Sequence, residues 1–400
     1  MRDYTRWECP TPGTTGVSRP CRPTSTYDSA IGWRVQLWDK DASPEYDDYI
    51  GTWNTVYVGW NCATFEWENA AYSQGEANPD VYLRITNEAT KTSIPGTVTV
   101  DVQNSSGVEY SDGWTRNGPP GDPDLQVAVD CQYGSYCYIY PEGEVVLNGD
   151  NASDFGQAVL AVDSAQRFLQ IYAGLMDPGK VWIRFPEDTN CPVGAAWSRT
   201  LLCLPGNDGA DTSGATNGRL VTHELGHVLQ MQLFEQDSLV ADYSLGGDGW
   251  GADTEENESA ATVEGWAVYT SAVSWYNPQN ASVAPFAFGY YLETAQPIRA
   301  TCSENGSYAV QVARGFWDLD DINNEAAVAP ATAADTTSYT TTSIAAVWDD
   351  FDDGTDNHED RESNTNPDRD AVNMRDYAYW SVVGDSAILN HNCLQYQDSN

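Results

Sequence analysis

The pattern His223-Glu224-Leu225-Gly226-His227 constrains this chain more than any other feature. In an α-helix, residues four apart lie on nearly the same face, so both imidazoles can reach one Zn²⁺ while Glu224 projects toward the metal-bound water. A helix is favoured because no proline interrupts the apolar residues around the motif: Leu220, Val221, Leu225, Val228, Leu229, Met231 and Leu233. The alternative is a chance match on a core helix, so a third ligand is the test.

A third ligand is expected downstream, because catalytic zinc sites usually take three protein ligands and leave the fourth position to water. Glu264 is the best candidate. Its neighbours one helical turn away are small or apolar: Ala260, Ala261, Ala267 and Val268. A lone carboxylate on such a face is costly to bury unless it is paired or metal-bound. Glu258 competes for this role, but it lies about 120° around the helix from Glu264.

These residues resemble a known family. His223-Glu-x-x-His227 followed by Glu264-Gly265-Trp266 resembles the gluzincin zinc metallopeptidases, and Glu-Gly-Trp is particularly similar to fungalysin-type members of this thermolysin-like clan. The resemblance implies Zn²⁺ bound by His223, His227 and Glu264, with Glu224 taking the proton as a zinc-bound water attacks a peptide carbonyl.

The flanking sequence extends the resemblance over about residues 150 to 325. A helical stretch at about Asp154 to Tyr172 precedes a strand at Lys180 to Phe185, and the stretch Gly194 to Leu204 looks like the edge strand on which gluzincins lay an extended substrate. Thermolysin-like members carry an Asn-Ala motif there, whereas this chain has Gly194 and Ala195. Gluzincins also use a histidine or tyrosine to stabilise the oxyanion, and no motif selects among the candidates: Tyr308, Tyr377, Tyr379, His358 and His391.

The charge of the chain restricts the classes of partner that it is expected to bind. It carries 59 acidic and 19 basic residues, with a formal net charge of −40. Such a chain repels nucleic acid and anionic membranes, and no apolar run is long enough to span a bilayer. We therefore expect no nucleic-acid partner and no membrane insertion.

The nine cysteines predict an oxidising compartment, and thus a secreted protein. Three close pairs, Cys9 with Cys21, Cys131 with Cys137 and Cys191 with Cys203, favour local disulfides. A long-range bridge between Cys302 and Cys393 would leave Cys62 as the odd thiol.

The sequence predicts a multidomain protein. Residues 1–25 form a tail, and residues 26–118 form an N-terminal antiparallel β-sandwich, loosely resembling transthyretin-like or C2-like modules. Strand patterns at Trp33–Trp38, Thr55–Val58, Val81–Ile85 and Thr97–Val102 support that sandwich. Residues 119–150 form a linker. Residues 151–400 form an α+β zincin-type catalytic domain with a mostly helical C-terminal lobe.

Acidic loops suggest Ca²⁺ as a second cation. Four aspartates in one stretch could bind it through carboxylate oxygens, although a solvated acidic loop is the simpler interpretation: Asp39, Asp41, Asp47 and Asp48. The run Asp349 to Asp360 is denser in acidic residues, but Phe351 occupies a ligand position of the EF-hand spacing.

These patterns together predict a secreted zinc metalloendopeptidase that acts on peptide or protein substrates. One alternative is an extracellular binding or adhesion protein on a zincin scaffold, which would have no need for Glu224. Another is an aminopeptidase of the same clan, which would need an acidic anchor for the substrate amine near the edge strand.

Overall fold

The structure of the 400-residue chain is a computed structural model. The structure describes residues 2–3, 7–8, 22–23, 28–29, 33–39, 48–54, 81–107, 125–130, 138–141, 146–147, 154–185, 195–204, 218–233, 253–256, 258–280, 285–288, 290–292, 308–321 and 339–349. All statements about structure refer to these residues.

The strands are, in chain order, β1 (Arg2–Asp3), β2 (Trp7–Glu8), β3 (Arg22–Pro23), β4 (Asp28–Ser29), β5 (Trp33–Asp39), β6 (Asp48–Asn54), β7 (Val81–Thr92), β8 (Thr97–Gln103), β9 (Leu125–Asp130), β10 (Tyr138–Pro141), β11 (Val146–Leu147), β12 (Gly179–Arg184), β13 (Ala195–Ser198), β14 (Leu201–Cys203), β15 (Phe286–Ala287) and β16 (Tyr290–Tyr291). The helices are α1 (Asp154–Tyr172), α2 (Gly218–Leu233), α3 (Glu258–Trp275), α4 (Ala309–Asp320) and α5 (Thr341–Asp349).

Nine of these strands form one mixed sheet. Its order is β10-β9-β7-β8-β12-β14-β13, with β5 also paired to β7 and β6 paired to β5. The pairs β8–β12 and β12–β14 are parallel, and the other pairs in this sheet are antiparallel. β13 ends this order, so among the described strands it lies at an edge of the sheet, within the stretch predicted to be the substrate-binding edge strand.

Helix α1 packs against β7 and β8. Along β8, Val98, Val100 and Val102 are buried in the same core as apolar residues of α1 such as Val162 and Phe168. Burying a valine side chain contributes about 1.5 kcal/mol or more, so this face is a main source of stability. The threonine and aspartate between the valines point to the opposite face, as the two-residue period of a strand requires.

The helices pack in the order α1, α2, α3 and α4, and two glycines permit close contact among the last three. A Cβ at Gly226 would overlap Thr270 Oγ1 and lie 3.2 Å from the Cα of Ala267, both in α3. A Cβ at Gly265 would lie 2.6 Å from Cβ of Val312 in α4. The glycine inside the sequence motif therefore brings α2 close to the helix that carries Glu264. No helix in the described part of the chain is long and apolar enough to cross a membrane.

The sheet crosses the predicted domain boundary. β8, from the predicted sandwich, pairs with β12 of the predicted catalytic domain, Val100 lying opposite Val181. β9 and β10, from the predicted linker, belong to the same sheet. Alternating hydrophobicity indicates a strand but does not identify its partner, so this pairing could not be read from the sequence. The strand expected at Thr55–Val58 and the lobe beyond residue 349 lie outside the described residues, and the domain division stays a prediction.

Candidate metal centre

Helices α2 and α3 bring three of the predicted residues together. Nε2 of His223 lies 3.2 Å from Nε2 of His227. Oε2 of Glu264 lies 3.2 Å from the first of these nitrogens and 3.3 Å from the second. All three side chains are buried. Within the part of the chain that the structure describes, this is the group of histidine and carboxylate side chains arranged to hold a metal ion.

The triangle of ligand atoms fits a zinc ion. Zinc binds imidazole nitrogen and carboxylate oxygen at about 2.0 to 2.1 Å, so two ligands of a tetrahedral site are separated by about 3.3 to 3.4 Å. The observed separations of 3.2, 3.2 and 3.3 Å match one face of such a tetrahedron. If both imidazoles were neutral, their two Nε2 lone pairs and the ionised carboxylate oxygen would all be acceptors and would repel one another in this buried place, so a proton or a metal ion has to lie between them. A cation between them removes that repulsion.

The charges of these groups are coupled. Burial alone would raise the pKa of Glu264, but the charge of His227 and hydrogen bonds from both histidines outweigh it and lower the pKa from 4.5 to about 2. Burial would lower the pKa of His227, but the Glu264 carboxylate, and then that of Glu224, outweigh this effect and raise it. The buried Glu264 therefore stays ionised at neutral pH and attracts a cation.

Glu224, the predicted proton acceptor, follows His223 in α2. Its side chain is buried, and its charge reaches His227. Consecutive residues of a helix point about 100° apart, so Glu224 flanks the face that carries the two histidines. The arrangement thus supplies three converging ligands and one further carboxylate beside them.

Hydrogen bonds fix α2 against α3 one residue before the motif. The hydroxyls of Thr222 and Ser271 lie 3.0 Å apart, and Ser271 Oγ donates to the carbonyl oxygen of Arg219 at 2.9 Å. Trp275 Nε1 donates to Thr222 Oγ1 at 3.1 Å. No sequence motif marks this cluster, because its members become neighbours only when the two helices pack.

A phenylalanine that the sequence analysis also missed contacts the site. The ring centroid of Phe288 lies 4.9 Å from that of His223. His223 in turn meets His227 edge to face, with centroids 4.7 Å apart. The motif gives no signal for this contact, which depends on the hairpin formed by β15 and β16.

The other predicted residues are placed as follows. Glu258 begins α3, and Glu264 takes the position beside the histidines. Tyr308 is buried at the start of α4, with its hydroxyl 3.4 Å from Oε2 of Glu255. The remaining oxyanion candidates lie outside the described residues: Tyr377, Tyr379, His358 and His391.

The predicted Ca²⁺ ligands and disulfides are only partly described. Asp39 and Asp48 lie opposite each other in the register of β5 and β6, whereas Asp41 and Asp47 fall outside the described residues. Cys203 is disulfide-bonded, and the other eight cysteines lie outside the described residues. Both the Ca²⁺ site and the pairing of Cys191 with Cys203 stay predictions.

No protein-family model, curated protein or solved structure matches this chain. The chemistry of the site itself is therefore the basis for its proposed function.

Proposed function

We propose that this chain is a secreted, zinc-dependent metalloendopeptidase. The observation that carries the proposal is the triangle of His223 Nε2, His227 Nε2 and Glu264 Oε2, with the Glu224 carboxylate on the same helix as the two histidines. A structural zinc site would use a fourth protein ligand. Three protein ligands with a neighbouring carboxylate are typical of a hydrolytic centre.

The residues divide the chemistry between them. His223, His227 and Glu264 would hold the ion, which supplies a Lewis acid and lowers the pKa of a coordinated water to about 7. The Glu224 carboxylate would accept a proton from the water whose oxygen attacks the peptide carbonyl carbon, and would donate that proton to the amine nitrogen as the C–N bond breaks. Burial of all four side chains limits competing solvent and strengthens their electrostatic interactions.

The sheet offers a place for an extended substrate. β13 lies at the edge among the described strands and packs against α2, the helix that carries the motif. An extended peptide can add to such an edge through backbone hydrogen bonds. A peptide bound there would run beside α2, and this favours a peptide or protein substrate that is cleaved internally.

One property of the chain supports secretion, and another restricts its partners. Cys203 is disulfide-bonded, and disulfides are typical of oxidising compartments. The net charge of −40 disfavours nucleic acid and anionic membranes as partners.

The test combines metal analysis with peptide digestion. We expect the purified chain to contain one Zn²⁺ and to cleave a peptide library at internal bonds. Glu224→Gln should retain the zinc and lose hydrolysis by at least about 100-fold, because it removes the proton acceptor but leaves all three ligands. Unchanged turnover in this variant would exclude the proposed role of Glu224. Zinc binding without cleavage in the wild type would favour a binding protein, and release of single N-terminal residues would favour an aminopeptidase.

A further inference from the structure

The hairpin that contacts the site has an unusual residue at its turn. Phe286 pairs with Tyr291 and Ala287 pairs with Tyr290, so two residues, 288 and 289, connect β15 to β16. Two-residue hairpin loops use turns whose first residue has a positive φ, because these turns match the twist of the strands. Phe288 occupies that first position with φ of 48°.

A phenylalanine is a poor choice for this backbone conformation. Glycine, asparagine and aspartate are the residues that tolerate it, and a bulky side chain there is strained. Residues held in such conformations concentrate at functional sites, where the surrounding structure imposes them. The turn itself favours a small residue, so the aromatic side chain of Phe288 needs an explanation other than the turn.

The Phe288 ring packs against a predicted metal ligand. Its centroid lies 4.9 Å from that of His223, with the two planes inclined by 53°. His223 meets the ring of His227 at 4.7 Å and 85°, so the three rings form a continuous series. Contact with the Phe288 ring restricts the rotation of the His223 imidazole, and the orientation of a metal-binding imidazole is set by the groups around it.

The hairpin is fixed from two sides. The Tyr290 hydroxyl donates a hydrogen bond to the carboxylate of Asp253. On the other side, Nε of Arg314, a buried residue of α4, donates to the carbonyl oxygen of Tyr291 at 3.1 Å. The backbone N–H of Leu292 also donates to the carbonyl oxygen of Pro285 at 2.9 Å. These contacts hold the hairpin in place, and they thereby fix the position of the Phe288 ring against His223.

We propose that Phe288 is a positioning residue for the zinc site. Its ring holds the His223 imidazole in the orientation that directs Nε2 toward Nε2 of His227 and Oε2 of Glu264. The inference rests on the proposed zinc site and deepens it, since it adds a residue outside the motif whose task is to organise a ligand before the ion arrives. Pre-oriented ligands bind a metal more tightly, because less freedom is lost on binding.

The test separates the ring from the backbone. Phe288→Asn and Phe288→Gly both suit a positive φ and remove the ring, whereas Phe288→Tyr keeps the ring. We expect the two ringless variants to have zinc-free melting temperatures equal to or above that of the wild type. Their dissociation constants for Zn²⁺, measured by competition with a chromophoric chelator, should rise by about 10-fold. Their Co²⁺-loaded forms should show altered visible spectra, and Phe288→Tyr should keep the wild-type constant and spectrum.

Two outcomes would exclude the positioning role of Phe288, and a third would exclude the zinc site itself. If both ringless variants bind Zn²⁺ as tightly as the wild type, with unchanged Co²⁺ spectra, the positioning role is excluded while the proposed function stands. If they melt well below the wild type, the ring is a core-packing element and the inference fails. If the wild-type chain itself binds no Zn²⁺, the proposed function fails, and the inference fails with it.

Discussion

Glu224 and Glu264 are both buried glutamates beside the same histidines, yet their surroundings differ. Glu264 places one oxygen within 3.3 Å of both Nε2 atoms. Despite burial, the charge of His227 and the hydrogen bonds of both histidines hold its pKa at about 2. Glu224 acts on His227 through its charge and comes from the same helix as the histidines. One carboxylate is thus suited to bind a cation and the other to accept a proton.

The third ligand can be tested with a matched pair of variants on α3. Glu264→Gln should weaken zinc binding by at least about 10-fold, because it removes the anionic ligand and leaves a neutral amide. Glu258→Gln removes the same charge from the beginning of the same helix and should leave the zinc affinity unchanged. Competition with a chromophoric chelator measures both. Loss of zinc only in Glu258→Gln would make Glu258 the ligand.

At the scale of elements, the site depends on how closely α2 and α3 approach. Gly226 is inside the motif, but its contacts with Thr270 and Ala267 give it a packing role rather than a chemical one. A side chain there would push the histidines away from the helix that carries Glu264. The spacing of the ligand triangle is therefore set partly by a residue that contributes no ligand atom.

Replacing Gly226 tests this contact. Gly226→Ala should gain up to about 1 kcal/mol of helix propensity, yet lose more through overlap with Thr270, for a net loss of about 1 to 2 kcal/mol in the free energy of unfolding. Adding Thr270→Ala should recover part of the loss, because it removes the overlapping side chain. Urea denaturation of the zinc-free variants measures both effects. A more stable Gly226→Ala protein would show that the helices separate at no cost.

Local patterns in the sequence predict the helices that carry the site. They do not predict which other elements these helices and the strands contact. The helical pattern around the motif corresponds to α2, and the stretch expected at Asp154 to Tyr172 corresponds to α1. The apolar neighbours of Glu264 predict it as a metal ligand, because a buried carboxylate needs a partner, and the structure places it beside both histidines. The pairing of β8 with β12 and the contact of Phe288 with His223 join residues that are distant in sequence. No local period encodes such contacts.

The sheet contains two buried carboxylates with partly exposed cationic partners, and they give a second test at this scale. Glu88 of β7 accepts hydrogen bonds from Lys180 at 2.6 Å and from Arg34 at 2.7 Å. Burial opposes ionisation of Glu88, but these two cations outweigh it and lower its pKa below 4.5. Burial raises the pKa of Asp101, whose one cation, Lys180, is farther away at 3.3 Å. The ionised form of Glu88 is thus stabilised by folding, whereas that of Asp101 is not.

Glu88→Gln should lower the free energy of unfolding at pH 7 by about 2 kcal/mol, less than for a fully buried pair because Arg34 and Lys180 reach solvent. A carboxyl whose pKa is lowered by folding stabilises the protein above its unfolded pKa and loses that effect as the pH falls through the folded pKa. The difference between variant and wild type should therefore shrink below about pH 4.5. Asp101→Asn is the control and should change stability by less than about 1 kcal/mol. Equal losses for Glu88→Gln at pH 7 and pH 3 would contradict the charge argument.

For the whole molecule, the dominant property is its charge. A net charge of −40 makes the folded state repel itself and attracts cations from the medium. The same field raises the local concentration of divalent cations, which favours filling of a buried anionic site such as that at Glu264. The same charge disfavours nucleic acid as a partner and is consistent with a protein that works in a cation-rich medium.

Salt should stabilise the chain. Raising NaCl from 0.01 to 0.1 M shortens the Debye length from about 30 to about 10 Å, so repulsion among the acidic residues weakens and the melting temperature should rise. If Ca²⁺ binds specifically to the acidic stretch Asp39 to Asp48, millimolar CaCl₂ should raise the melting temperature further than NaCl of matched ionic strength, by its binding free energy. Thermal melts of the zinc-loaded chain in both salts measure this. Equal shifts of the melting temperature in the two salts would show that screening accounts for the whole effect and would exclude a specific Ca²⁺ site. No shift in either salt would show that self-repulsion does not limit the stability of this protein.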